Sequence, residues 1–103
     1  MYQIVLCNCP NNEVASKIAK RLVHDKLAAC VNIMTNVKSV YQWQGDIVED
    51  DEITLIIKSK SCLFSELEST IKALHPYDVV EIIALDITQG SQQYLAWINE
   101  SVK

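Results

Sequence analysis

The fold of this chain depends on residues Leu27–Lys60, LAACVNIMTNVKSVYQWQGDIVEDDEITLIIKSK. Between Ala29 and Trp43 the odd positions are mostly apolar and the even positions mostly polar. An alternation with a period of two indicates a β-strand. A second apolar stretch follows from Ile47 to Ile57. Gln44 and Gly45 between the two stretches fit a two-residue hairpin turn, because glycine takes the positive φ that such turns need. We therefore predict a long β-hairpin.

The length of this hairpin raises a structural problem. Each arm of about 16 residues, at ~3.3 Å per residue, would extend roughly 50 Å. A compact domain of this size is only about 33 Å across. Either the arms bend, with Thr35–Asn36 as the expected place, or the tip projects and other chains cover it. The tip carries too much apolar surface to remain exposed to water. Its apolar side chains are Val40, Tyr41, Trp43, Ile47 and Val48. We therefore infer an oligomer.

Composition limits the classes of protein. The chain has 103 residues, half of them hydrophobic, which predicts a single domain over residues 1–103. A net charge of -4 argues against nucleic acid as a partner. The sequence contains no basic amphipathic helix of the kind that binds a membrane surface, so we expect no membrane partner. The first residues do not resemble a signal peptide, so we expect a cytoplasmic protein with its four cysteines free. Two glycines are too few for a glycine-rich phosphate loop.

Apolar periodicity predicts the remaining elements. The expected order is strand Tyr2–Cys9, a helix from Asn11 or Asn12 to Asp25–Lys26, the hairpin, a helix from a Ser61 cap to His75, strand Val79–Ile87, and a helix after Gly90. This order, β-α-β-β-α-β-α, is the ferredoxin-like α+β arrangement with one additional C-terminal helix. We expect a four-stranded antiparallel sheet, with the last helix covering a sheet edge or a neighbouring subunit.

Three residues are candidate metal ligands. Cys7 and Cys9 lie two residues apart on a strand, so their thiols point to the same face. Thiolates suit Cu(I) and zinc, although buried cysteine more often packs as a small apolar residue. His75 precedes Pro76 at the end of a helix, where it could bind a metal, transfer protons or stabilise the helix end. In the predicted topology this junction lies beside the end of the first strand.

Other polar and aromatic residues indicate an interface. Glu52, Lys58 and Glu81 are single charges within apolar strands, and such charges need an ionic partner or a charged pocket between subunits. Tyr41 and Trp43 share a strand face and suit an oligomer interface or a ligand. The run Glu49–Glu52 is interpreted as a solvated edge. No nucleophile has partners at a catalytic spacing, so we do not expect an enzyme.

Five segments in order resemble the CutA family, the divalent-cation tolerance proteins: LAACVNI at 27–33, SVYQWQG at 39–45, EITLIIKS at 52–59, HPYDVVEI at 75–82 and YLAWI at 94–98. The resemblance implies a homotrimer similar in architecture to the PII signalling proteins, with hairpins that reach neighbouring subunits. It also implies copper ligands at Cys7 and His75. A further histidine expected in the family is Leu74 here, and Cys9 is a candidate to replace it.

Two functional hypotheses follow. The first is a homotrimer that binds copper, or zinc or another divalent cation, in metal tolerance. The alternative is a PII-like sensor or scaffold that binds a small ligand or protein at clefts between subunits, where Lys58 would hold an organic anion. The residues expected at such clefts or interfaces are Tyr41, Trp43, Glu52, Lys58, Tyr77, Glu81 and Trp97.

Overall fold

A four-stranded antiparallel sheet forms the frame of the protein. The computed structural model describes residues 1–103. Its elements along the chain are β1 Tyr2–Cys9, α1 Asn12–His24, β2 Cys30–Trp43, β3 Asp46–Lys60, α2 Phe64–Leu74, β4 Ile82–Asp86 and α3 Gln92–Ser101, and the strands lie in the sheet in the order β2-β3-β1-β4. This order confirms the predicted α+β ferredoxin-like class with an additional C-terminal helix. No helix has the length and apolar character needed to cross a membrane.

One face of the sheet packs against α1 and α2. Alternate residues of β1 and β3 are buried there together with apolar residues of both helices, and the central members of this core are Val5, Cys7, Cys9, Leu55, Ile57, Ile18, Leu22, Leu67 and Ile71. The opposite face, here called the second face, carries Leu6, Ile56, Ile83 and Leu85. Ile83 and Leu85 remain 49% and 51% exposed. The second face is therefore apolar and incompletely covered within one chain.

A β-bulge interrupts the hairpin at the predicted place. Met34 pairs with Thr54 and Val37 pairs with Glu52, so two residues of β2 lie opposite one residue of β3. Asn36 has φ 62°, a left-handed conformation that asparagine tolerates better than most residues. The bulge moves the odd positions of β2 to the other sheet face. The odd positions of β2 therefore face one side of the sheet before the bulge and the other side after it.

Beyond the bulge, the hairpin projects from the core. It ends in a two-residue turn at Gln44 and Gly45, whose φ values of 50° and 86° match a type I′ turn. The molecule measures 46 × 26 × 22 Å. Trp43 is 63% exposed and Ile47 is 80% exposed. The tip does not fold back onto its own sheet, as the alternative interpretation required.

Two predicted boundaries change. Ser61 does not cap α2; a short 3-10 turn, Ser61–Leu63, precedes the helix, and the Ser61 hydroxyl donates to the carbonyl of Met1 at 3.0 Å. The fourth strand begins at Ile82 instead of Val79, because the chain only meets β1 where Ile82 pairs with Cys7. Glu81 is consequently exposed and precedes the strand. It is not a charge within an apolar strand.

The left-handed residue at the bulge makes the first testable prediction. Replacing Asn36 by valine should lower the free energy of unfolding by about 1–2 kcal/mol, because a β-branched side chain collides with its own backbone at positive φ. Thr35→Val, at the neighbouring exposed position, is the matched control. Urea unfolding measures both variants, and an equal effect of the two substitutions would contradict the assigned bulge conformation.

Candidate metal centre and neighbouring cleft

Cys7, Cys9 and His75 come together at one end of β1. Their sulfur and nitrogen ligand atoms lie within 4.8 Å of one another, and all three side chains are buried. Strand alternation places both thiols on the helix-covered face of β1. His75 follows the last residue of α2, where Pro76 cannot continue the helix. The structure thus brings together the three residues that the sequence singled out as candidate ligands.

Both ring nitrogens of His75 already have partners. Nε2 lies 2.8 Å from the backbone carbonyl oxygen of Asn8, and Nδ1 accepts from the backbone N–H of Tyr77 at 3.2 Å. A carbonyl only accepts and a backbone N–H only donates, so these bonds assign a neutral ring with its proton on Nε2. His75 therefore ties the chain after α2 to β1. It can ligate a metal only by giving up one of these hydrogen bonds.

The two thiols influence each other's ionisation. The neighbouring Cys7 thiol lowers the pKa of Cys9, against the opposing effect of burial. The proximity of Cys9 in turn raises the pKa of Cys7, and burial and the negative charges of Glu81 and Glu52 raise it further. Cys9 is therefore the first of the pair to become a thiolate, the form that binds metals. Two sulfurs and an imidazole are a donor set that suits Cu(I) or zinc.

A cleft of about 660 Å³ lies on the other side of β1, between the hairpin and the segment after α2. Three aromatic residues line it, Tyr41, Trp43 and Tyr77. Four carboxylates also line it, Asp50, Glu52, Asp78 and Glu81. All of these groups belong to one chain. The cleft therefore contains five of the seven residues predicted for an intersubunit cleft or interface.

The other two predicted residues lie elsewhere. Lys58 donates from Nζ to the side-chain oxygen of Asn32 on the second face and does not line the cleft. Trp97 lies on α3, where its ring is 5.5 Å from that of Tyr94. Within one chain Lys58 is therefore not in one site with Tyr41 and Trp43, and its predicted place in a cleft between subunits stays a prediction. The long β3 strand separates the two positions.

Sequence reasoning missed Asn8, Asp50 and Asp78 as cleft residues. Asn8 accepts from the Thr54 hydroxyl at 2.7 Å and donates to Glu81 at 3.3 Å. Its position between two cysteines on an alternating strand was the available signal, because a middle residue must face the opposite side. Asp50 was interpreted as part of a solvated run, yet its carboxylate accepts a hydrogen bond from the Tyr41 hydroxyl.

Hydrogen bonds, burial and nearby negative charges raise the pKa values of two aromatic residues of the cleft, Tyr41 and Tyr77. The hydrogen bond to Asp50 raises the pKa of Tyr41 to about 12. Partial burial raises the pKa of Tyr77, and the negative charges of Glu52 and Asp50 add to the effect. The Tyr77 ring also contacts the His75 ring in an edge arrangement, with centroids 4.7 Å apart. Both phenols thus stay neutral at physiological pH.

The fold and the thiol–imidazole cluster define a small ferredoxin-like protein with an extended hairpin and donor groups for a soft metal ion. The model of the CutA1 divalent ion tolerance proteins matches residues 3–101. The chain belongs to the CutA family.

Individual relatives agree with this assignment. The divalent-cation tolerance protein CutA of Thermus thermophilus is 48% identical over 98% of each chain. A solved structure of the divalent cation tolerance protein from Thermus thermophilus superposes with a TM-score of 0.97 over 100% of both chains. The human Protein CutA is 44% identical over 89% of this chain, which spans 51% of the human protein. The predicted family and fold are confirmed.

The contact between Tyr41 and Asp50 gives a second prediction. In an alkaline titration followed by ultraviolet absorbance, one of the four tyrosines should ionise near pH 12. Asp50→Asn should return that transition towards pH 10, because a neutral amide no longer disfavours the phenolate. Asp46→Asn, which removes a carboxylate from the same strand without touching Tyr41, is the control. Identical titrations of Asp50→Asn and the wild type would contradict the assigned interaction.

Proposed function

We propose that this protein contributes to divalent-cation tolerance by binding a soft metal ion at Cys7, Cys9 and His75. Copper is the proposed ion, with zinc or another divalent cation as the alternative. The observation that carries the proposal is the convergence of two thiols and an imidazole within 4.8 Å. Membership of the CutA family supports it. The proposed function is binding, with no catalytic step.

The residues have unequal roles in this proposal. The two thiols are the primary ligands, because Cys7 gives up only a long hydrogen bond of 3.9 Å to the Asn8 carbonyl and a thiolate is a strong ligand for a soft metal ion. His75 contributes when it exchanges its bond to Asn8 or Tyr77 for the ion. Glu52 and Glu81 raise the pKa of Cys7 through their negative charges. The same charges favour a bound cation. Leu74 supplies no ligand atom, so the second thiol takes the place of the family's additional histidine.

We also propose a homotrimer in which neighbouring copies cover the second face and the hairpin tip. Ile83, Leu85, Val40 and Trp43 are each about half exposed or more within one chain, and such a surface is typical of an interaction site. β2 and β4 are the two outer strands of the sheet and offer unpaired edges to another chain. The PII-like architecture implied by the family resemblance supports three copies.

A second candidate function rests on the cleft. A concave site of about 660 Å³ with aromatic walls and several polar groups is typical of small-ligand binding. In this candidate, the protein is a sensor whose cleft binds a small molecule, and a neighbouring subunit closes the open side. The two functions are compatible, because Asn8 lies between the thiols on β1 and faces the cleft.

The metal proposal predicts unequal effects of the three ligand substitutions. Isothermal titration with copper under reducing conditions, and separately with zinc, should show saturable binding to the wild type. Cys7→Ser and Cys9→Ser should each weaken binding by about 100-fold or more, because a thiolate is lost. His75→Ala should weaken it by less than about tenfold, yet lower the free energy of unfolding by about 1–3 kcal/mol through two lost hydrogen bonds.

Cys62→Ser is the control for this experiment, since Cys62 is exposed and remote from the cluster. It should bind like the wild type. Equal, weak and non-saturable binding by all variants would contradict the ligand assignment.

The trimer proposal predicts that charge on the second face dissociates the assembly. Ile83→Lys should sediment as a folded monomer, because the lysine would place an unpaired charge in a buried apolar interface. Ser69→Lys adds the same charge on an exposed position of α2 and should leave the sedimentation unchanged. Circular dichroism confirms that each variant is folded. An unchanged sedimentation coefficient of folded Ile83→Lys would contradict burial of the second face.

A further inference from the structure

We propose that a soft metal ion and the backbone N–H of Tyr77 compete for the one free lone pair of the His75 ring, so that metal binding releases the segment of residues 76–81. This coupling rests on the proposed metal-binding function and describes how that site acts on the rest of the chain. It involves only contacts within one chain, around a histidine that is 7% exposed.

His75 has a single lone pair to offer. A neutral imidazole carries a proton on one ring nitrogen and a free in-plane lone pair on the other. The proton lies on Nε2, next to the Asn8 carbonyl oxygen at 2.8 Å. The lone pair lies on Nδ1, which accepts from the Tyr77 N–H at 3.2 Å. A metal ion needs the same lone pair, because only an unprotonated ring nitrogen is a ligand.

The competition is the same whichever ring nitrogen ligates. If Nδ1 binds the ion, it can no longer accept from Tyr77. If Nε2 binds the ion, the ring proton lies on Nδ1, which then presents a donor to the Tyr77 N–H. In both arrangements Tyr77 loses its acceptor. Ligation through Nδ1 keeps the bond from Nε2 to the Asn8 carbonyl, whereas ligation through Nε2 breaks both bonds of the ring.

The segment of residues 76–81 depends on these bonds. It belongs to no helix or strand, and no backbone–backbone hydrogen bond outside the helices and strands involves it. One hydrogen bond joins the Tyr77 N–H to His75, and a second joins the Asn8 side chain to Glu81 at 3.3 Å. The Tyr77 ring also contacts the His75 ring. Loss of the His75 bond therefore frees the start of the segment from β1.

This competition links the metal centre to the other side of the sheet. A conformational change needs a ligand that interacts differently with the two conformations, and an ion that takes the lone pair from Tyr77 meets that condition. The coupling is reciprocal, so a released segment also favours the ion. Tyr77 lines the cleft, on the side that the proposed trimer covers. Metal binding can thus reach a neighbouring copy through Tyr77, with no ligand in the cleft.

Amide hydrogen exchange followed by nuclear magnetic resonance tests the proposal on the isotope-labelled, full-length protein. Exchange is measured before and after saturation with Cu(I) in anaerobic buffer, and separately with zinc. The Tyr77 amide should exchange about fivefold faster or more with the ion, the change expected for one lost hydrogen bond. The Leu55 amide, in the middle of the sheet, should not exchange faster. Spectra of the His75 ring should show metal on one nitrogen and the proton on the other.

His75→Asn is the matched control variant. Asparagine has an amide oxygen near the position of Nδ1, so it can still accept from the Tyr77 N–H, but it offers no ligand that suits a soft metal ion. The thiols of Cys7 and Cys9 should still bind the ion in this variant, with an affinity reduced by less than about tenfold. Its Tyr77 amide should exchange at the same rate with and without the ion.

The outcomes separate the coupling from the metal site itself. Saturable binding to the wild type with unchanged exchange at Tyr77 would refute the coupling and leave the thiols as the metal site. Faster exchange of the Tyr77 amide by the same factor in His75→Asn would also refute it, because the release would not involve the ring. The absence of saturable binding would refute the proposed metal-binding function, and the coupling with it.

Discussion

A two-stranded ribbon that extends beyond its supporting core is the constraint on which the rest of this structure depends. From Ile53 to Lys60, β3 pairs with β1, but from Asp46 to Glu52 it pairs with β2 alone. An isolated two-stranded ribbon is only marginally stable in water, and this one carries the exposed apolar side chains of Val40, Trp43 and Ile47. The free-energy cost of exposing these apolar side chains to water falls only if another surface covers the tip. The proposed trimer supplies that surface and simultaneously covers the second face of the sheet.

The bulge at Thr35–Asn36 connects this constraint to the candidate sites. It shifts the pairing register by one residue, which places Tyr41 and Trp43 on the same face as Asp50 and Glu52. That face meets the segment after α2, and the cleft forms between them. On β1, successive side chains point to opposite faces of the sheet, so neighbouring residues belong to different sites. Cys7 and Cys9 belong to the thiol–imidazole cluster, and Asn8 between them belongs to the cleft.

The sequence predicted the fold closely because hydrophobic periodicity is strong in every long element. It also predicted the meeting of Cys7, Cys9 and His75, since the topology alone brings the end of β1 beside the end of α2. The consequence of the bulge was not predictable, because a register shift depends on tertiary pairing and leaves the local alternation intact. Asp50 was misread for the same reason, since its contact with Tyr41 depends on that register.

The start of β4 shows another limit of sequence reasoning. Val79–Ile87 is apolar throughout most of its length, so periodicity could not locate where pairing begins. In the structure, His75 contacts the Asn8 carbonyl of β1, and the ladder between β4 and β1 starts only at Ile82. Lys58 was assigned to a cleft between subunits because it is a single charge within an apolar strand, and in one chain its Nζ donates to Asn32.

The central claim is that the projecting hairpin is an assembly element. Light scattering on the untagged protein after size-exclusion chromatography tests it most directly. The account predicts a mass three times that of the 11.6 kDa chain, independent of concentration in the micromolar range. A stable, folded species with the mass of a single chain would contradict it, because the apolar tip and second face would then persist in water uncovered.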